Sequence, residues 1–272
     1  KADGRWDYAA NEEDPDFDVA VPMPDGSMVP IDHLSVDTGK ETLGVFTCPS
    51  GKAGQHQLDS MRDKAQQWLD RAKEGKRLRR RDVWFLLEHQ LWLKVGYGLC
   101  SVLAPWRELD GCLNNKWWQL VPMGGLIRTA PAAIRDLDVG FFGAGCPHVG
   151  IECLIAQVNK LLMHFGCRSF DGLALQTSLE YLIVELGISA QPLQESFARY
   201  GKRVTWTWLT SLWEKCDKFS VAVVFAEGLI ELPRDGDNWI MRLFASIGCS
   251  PAILLLRLNR VRLHQQVLFL SE

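Results

Sequence analysis

The segment Q-H-Q-L-D-S-M-R-D-K-A-Q-Q-W-L-D-R-A, residues 55–72, decides the fold class. Leu58, Met61, Ala65, Trp68, Leu69 and Ala72 recur at three- and four-residue intervals, which is the period of one helix face. Gly75 stops the pattern, and a basic run, K-R-L-R-R-R (76–81), leads to Asp82, a residue suited to capping a new helix. Trp84, Leu87, Leu91, Val95, Leu99 and Val102 then form a second stripe. Phe85, Leu86 and Trp92 lie on other faces, so this second helix is expected to be buried nearly all round. Two helices joined by a short basic turn make an α-hairpin over 55–103.

Outward from that hairpin the chain reads as mainly α with small β elements, an α+β class. The V-A-V-P-M-P-D-G-S-M-V-P-I stretch predicts a β-hairpin turning at Asp25-Gly26, and T-L-G-V-F (42–46) a short β run. Downstream, helices are expected from Pro105 to Trp118, over 151–165 and 172–186, at 205–214, over 238–247, and from Pro251 to 269. Residues 124–148 read as a Gly/Pro-rich ordered loop, and 219–232 as one or two strands. Three regions follow: an acidic leader with the first β elements (1–54), the helical hairpin (55–103), and a helical downstream region with its short β-hairpin (104–272).

The 272 residues are 47% hydrophobic and 23% charged, within the range of globular domains. No apolar run reaches the ~18 residues of a membrane span, and the longest, near Val221–Leu232, is broken by Glu227, Gly228 and Glu231. Residues 1–39 hold ten acids against Lys1 and Arg5, a charge of −8, which leaves +5 on residues 40–272 out of the overall −3. A mildly basic body permits a polyanionic partner. Eight cysteines without C-x-x-C spacing predict reduced thiols and an intracellular setting, nucleus or cytoplasm. The start, K-A-D-G-R-W, reads like a chain cut from something longer.

Several groups could carry chemistry. Asp235 and Asp237 flank Gly236, but no further oxygen ligands follow at metal-loop spacing, so turn plus helix cap is the expected reading. Cys146, His148, Cys153 and His164 match no common zinc spacing, although a Cys–His pair meeting in space stays open. Lys76, Arg77, Arg79, Arg80 and Arg81 are either a solvated turn or a contact to phosphate backbone. Arg257, Arg260 and His264 share one face of the last helix as a weaker second candidate.

K-E-T-L-G-V-F (40–46), followed by a glycine-containing turn and a helix, resembles the end of a non-LTR-type reverse transcriptase palm entering its thumb. More narrowly, the chain resembles retroelement polyproteins of diatoms and related algae over residues 40–272. The pieces, in order, are G-L-I-R-T-A-P-A-A-I (125–134), H-F-G-C-R-S (164–169), S-L-E-Y-L-I-V-E-L-G (178–187), T-W-L-T-S-L-W-E (207–214), L-P-R-D-G-D-N-W-I-M (232–241) and L-N-R-V-R-L-H-Q-Q-V-L-F-L-S-E (258–272).

The resemblance implies a thumb that grips an RNA/DNA duplex through its phosphates at residues 76–81. Leu43 and Gly44 would stand near the primer end as a primer-grip-like element, and exposed tryptophans would stack on unpaired bases, with most of the eleven expected in the core. The polymerase Mg²⁺ ions would sit in a palm with a Tyr-x-Asp-Asp turn; these 272 residues contain none, and family order would put it before Lys1. The chain alone is therefore expected to have no catalytic residue, metal ligand or cofactor, to be inactive, and to need the palm and fingers as partners. A helical protein-interaction remnant and an unrelated cytosolic Cys/His enzyme are the alternatives.

Overall fold

The computed structural model describes residues 20–30, 37–42, 45–48, 50, 53–74, 78–117, 119, 122–127, 129–225, 236–247 and 252–272. Helices dominate, and the described strands form two separate antiparallel hairpins. Strands β1 (Ala20–Pro22) and β2 (Met28–Pro30) pair with Val21 opposite Val29. Their turn is the expected one: Gly26 takes φ +82°, and the Asp25 carboxylate accepts from the amide and hydroxyl of Ser27. The T-L-G-V-F run is two strands rather than one. β3 (Lys40–Thr42) and β4 (Val45–Thr47) pair with Thr42 opposite Val45, while Leu43 and Gly44 between them lie outside the described residues.

Helix α1 (Ala53–Glu74) buries all six residues of the expected stripe, Leu58 through Ala72, with Gln57 and Gly54 at its start. Leu58, Met61 and Leu69 are almost fully removed from water, each contributing about 1.5–3 kcal/mol. Arg71 and Lys73 in the last turn complement the helix's negative end.

The second arm is continuous but not uniform: α2 (Arg80–Leu86), a π turn (Leu87–Leu91) and α3 (Trp92–Gly96). Its start differs from expectation. Asp82 is not the cap; it sits in the first turn, and its Oδ2 accepts from the Arg79 amide at 3.0 Å. A carboxylate in the first turn reaches back to an unpaired amide there, so the helix begins at Arg80 and draws Arg80 and Arg81 out of the loop. The burial also differs. Val83, Leu87, Leu91, Val95 and Leu99 are buried, but Phe85, Leu93 and Tyr97 are exposed. Spacing of four drifts about 40° per step in a regular α-helix. The π turn takes up one extra residue and cancels much of that drift, so two rows spaced by four run along opposite faces.

Two cores follow. In the first, α1 and the second arm close over Leu109 of α4 (Trp106–Trp117) and over Val149 and Cys153 of α6 (Val149–His164); the short α5 (Ala132–Asp136) precedes α6 within the loop expected at 124–148. In the second, Leu154 and Leu161 of α6 meet α7 (Phe170–Leu186), α9 (Trp208–Lys218), α10 (Ile240–Ser246) and α11 (Ala252–Gln265), with the single turn α8 (Phe197–Tyr200) at its edge. Ser169 caps α7 by accepting from the Gly172 amide, and Gly187 ends it at φ +62°.

The turn after the second arm holds the cores together. Carbonyls there have left the helix ladder and are inside, so they need donors. Cys153 Sγ donates to Leu99, Trp208 Nε1 to Cys100 at 2.7 Å, Gln157 Nε2 to Val102 at 3.0 Å and Trp206 Nε1 to Leu103. The fully buried Lys215 ammonium donates to the Ala104 carbonyl at 3.2 Å, as well as to Ser211 Oγ and O. Five of the six successive carbonyls from Leu99 to Ala104 are thus held by side chains of α6, α9 and the segment before α9.

Residues 219–225 of the expected 219–232 strands carry no strand, and 226–235 lie outside the described residues. The Gln191 side-chain amide replaces a neighbouring strand there: its Nε2 donates to the Phe225 carbonyl and its Oε1 accepts from the Phe225 amide. The last helix stops at Gln265, four residues short of expectation, because Gln266 turns to φ +56° and Phe269 bridges to Trp239.

Candidate nucleic-acid interface

The tip of the α-hairpin is built by one apolar residue inside the basic run. Leu78 packs against the first core, which leaves Arg79, Arg80 and Arg81 exposed around it. Lys76 and Arg77 lie outside the described residues. Among the described residues Arg79 and Arg80 have no carboxylate within 4.0 Å. Arg81 Nε stands 3.9 Å from Asp82 Oδ1, an exposed pair worth little.

A groove of about 380 Å³ opens beside the tip, lined by Arg80, Trp84, Glu88 and the Gly124–Leu126 turn. Trp84 Nε1 donates to the Gly124 carbonyl at 3.0 Å, fixing that turn. Gly125, at φ +93°, lies under the Arg80 side chain; a Cβ there would stand 3.0 Å from Arg80 Cδ. The Arg80 side chain therefore rests on bare backbone, and among the described residues no acceptor engages its donors. Planar forks of this kind suit phosphate oxygens, and contacts to phosphate set position without reading sequence.

The primer-grip-like pair, Leu43 and Gly44, lies outside the described residues, but its flanking strands are fixed to α1. The Phe46 amide donates to Gln57 Oε1 at 2.9 Å, and Lys64 Nζ stands 3.1 Å from Glu41 Oε1. Gln57 and Glu74 are about 25 Å apart along α1. The β3–β4 hairpin thus lies along the first half of α1, and the arginine tip follows the other end of that helix.

The remaining candidates do not assemble. Asp235 lies outside the described residues. Asp237 does not cap α10, whose N-terminal flanking residue is Trp239; its carboxylate accepts instead from the Asn238 amide and the Ser271 hydroxyl. His148 and His164 stand at the two ends of α6, about 24 Å apart. Among the described residues no three His, Cys, Asp or Glu side chains gather as metal ligands would. Burial pushes the Cys146, Cys153 and Cys216 thiols up to about 11, the reverse of an activated nucleophile. Of the described tryptophans only Trp206 is exposed, and its ring nitrogen is engaged; Trp68, Trp213 and Trp239 are core.

Arg257 and Arg260 are exposed on α11, which packs in the second core, away from the core that carries the tip. The residue that matters on that helix is one the sequence reading missed. Arg262 is buried, and its guanidinium donates to Val184 O (2.7 Å), Glu185 O (3.0 Å), Val267 O (3.2 Å) and Asn259 Oδ1. It closes the negative end of α7, where carbonyls lack ladder partners. Leu255, Asn259 and Arg262 share the buried face at i, i+4, i+7, a stripe visible in the sequence but polar in two of three places.

Comparison with protein-family models, with curated proteins and with solved structures finds no match. Among the described residues no helix is long and apolar enough to cross a membrane.

Proposed function

We propose that this chain is the thumb and adjoining region of a non-LTR-type retroelement reverse transcriptase, an RNA-directed DNA polymerase, and that it grips an RNA/DNA duplex by its phosphate backbone. One observation carries the reading: Arg79, Arg80 and Arg81 stand exposed at the tip of a helical hairpin, and the first two have no acidic partner among the described residues. Lys76 and Arg77 adjoin them in sequence. The β3–β4 hairpin contacts α1 from Gln57 to Lys64, about 15–25 Å from the tip end of that helix. Palm and fingers would be its partners, Mg²⁺ would be held by the palm, and the setting would be nucleus or cytoplasm. The test is binding of a labelled RNA–DNA hybrid of arbitrary sequence, with primer extension in parallel. Sequence-indifferent binding without extension is expected. No binding at 50 mM salt, or extension by the chain alone, refutes the reading.

A second reading, a helical protein-interaction module, is favoured by one loop. Phe142 is 97% exposed at φ +62°, beside the exposed Phe141 and Val139. A bulky residue held in the left-handed region and in water is strained, and such a knob suits an apolar pocket on another protein.

A further inference from the structure

The outward face of the second arm carries a row that the tip alone does not explain. Arg81, Phe85, His89, Leu93 and Tyr97 follow one another at intervals of four. Phe85 is 56% exposed, Leu93 66% and Tyr97 65%, and the His89 side chain is equally open. The rings of Phe85 and His89 are stacked, with centroids 4.4 Å apart and planes at 11°. The row extends about 24 Å from the arginines.

We propose that this row is a stacking track for an unpaired nucleic-acid strand, whose phosphates meet the tip arginines and whose bases lie on Phe85, His89 and Tyr97. The inference rests on the reading of the tip as a phosphate-binding element. Charge and width both favour a strand over a protein helix. The exposed and half-exposed ionised groups between residues 79 and 94 are Arg79, Arg80, Arg81 and Lys94 against Asp82 and Glu88, a cationic excess. Asp82 is committed to the Arg79 amide, and Glu88, although 3.9 Å from His89, also lines the groove with Arg80. A docked helix wants an apolar stripe at least ~100° wide, whereas this row is one residue wide: its i+3 neighbours are Glu88, the half-buried Trp92 and Gly96. Rings in single file accept any base by its face, and the track is as long as about seven nucleotides stacked at 3.4 Å. Among the described tryptophans, Trp68, Trp213 and Trp239 are core, and Trp206 and Trp208 are bonded to carbonyls of the 99–104 turn.

The test uses the full chain with two probes, a 12-nucleotide oligothymidylate and a blunt 12-base-pair RNA–DNA hybrid. The Phe85→Ser/Tyr97→Ser double variant removes exposed rings and leaves the buried row intact. It should weaken oligothymidylate binding tenfold or more and change hybrid binding less than twofold. Arg79, Arg80 and Arg81 changed together to Ala should weaken both probes. Hybrid binding with no binding of oligothymidylate, or an unchanged oligothymidylate affinity in the double variant, overturns the track and leaves the duplex reading standing. Failure of both probes overturns both. A wild-type dimer that the double variant dissolves makes the row an interface between copies, which also overturns the track.

Discussion

Replacing Arg262 by Met tests the most heavily bonded side chain in the second core. Methionine keeps the stem and removes the guanidinium, so the carbonyls of Val184 and Val267 and the Oδ1 of Asn259 lose their donor inside the protein, while the Glu185 carbonyl keeps Asn259 Nδ2. Each buried acceptor left unpaired costs about 1–3 kcal/mol. Part of that is returned because a cation held with its pKa lowered by burial is no longer desolvated. The net loss is about 3–5 kcal/mol. In urea, with a slope of about 3 kcal/mol/M, the midpoint falls by about 1 M or more. Fluorescence reports on it directly, since Trp213 and Trp239 lie in the same core. Arg260→Met on the exposed face of the same helix is the control, with a change within about 0.5 kcal/mol. If Arg262→Met and Arg260→Met shift the midpoint equally, the clamp on α7 is not what holds this end of the fold.

Three further outcomes follow from the packing. Trp208→Phe keeps an aromatic ring but leaves the Cys100 carbonyl without its 2.7 Å donor; stability should fall by about 1–3 kcal/mol in chemical denaturation, and an unchanged midpoint contradicts the bonding role assigned to that turn. The fully buried Cys153 and Cys216 thiols have folded pKa values raised to about 11 from 9.0. Their contribution is complete below pH 9 and is lost as pH rises through 11, about 3 kcal/mol per thiol. Lys215, whose folded pKa is lowered by burial, opposes this over the alkaline range. Thermal melts between pH 8 and 11 in reductant should show a loss that is shallower in Cys153→Ser; equal slopes refute the assignment. Phe142→Asn suits φ +62° better, and no packing is lost at so exposed a site. It should raise stability by up to about 1 kcal/mol, and a lower Tm argues that the ring has a contact of its own.

Much of the architecture was legible because it rests on local rules. The stripe from Leu58 to Ala72, the stops at Gly166 and Gly187, and the Asp25-Gly26 turn each follow from side-chain period or from backbone freedom. Misreadings arose where a long-range partner overrode those rules. Asp82 looked like a cap, yet Leu78 enters the core and brings Arg79 to that position. The second arm looked uniformly apolar, but the π turn lines up one row inward and another outward. Residues 219–225 have strand composition and no strand, because Gln191, 34 positions earlier, satisfies Phe225. At the candidate site, the exposure of Arg79 to Arg81 was foreseeable because a run of basic residues in a turn between two apolar helices cannot all be buried. The glycine floor under Arg80 was not, since Gly125 arrives from another part of the chain.

The most direct test of the account is the salt dependence of hybrid binding, followed by anisotropy of a labelled RNA–DNA duplex from 50 to 200 mM salt. Each phosphate contact contributes about −0.9 to the slope of log K against log salt. Replacing Arg79, Arg80 and Arg81 together by Ala should therefore make the wild-type slope shallower by about 3 and leave the fold unchanged, since all three are exposed. A wild-type slope near zero, or a slope that the triple substitution does not alter, would show that the hairpin tip is a solvated turn and that the grip on nucleic acid does not exist there.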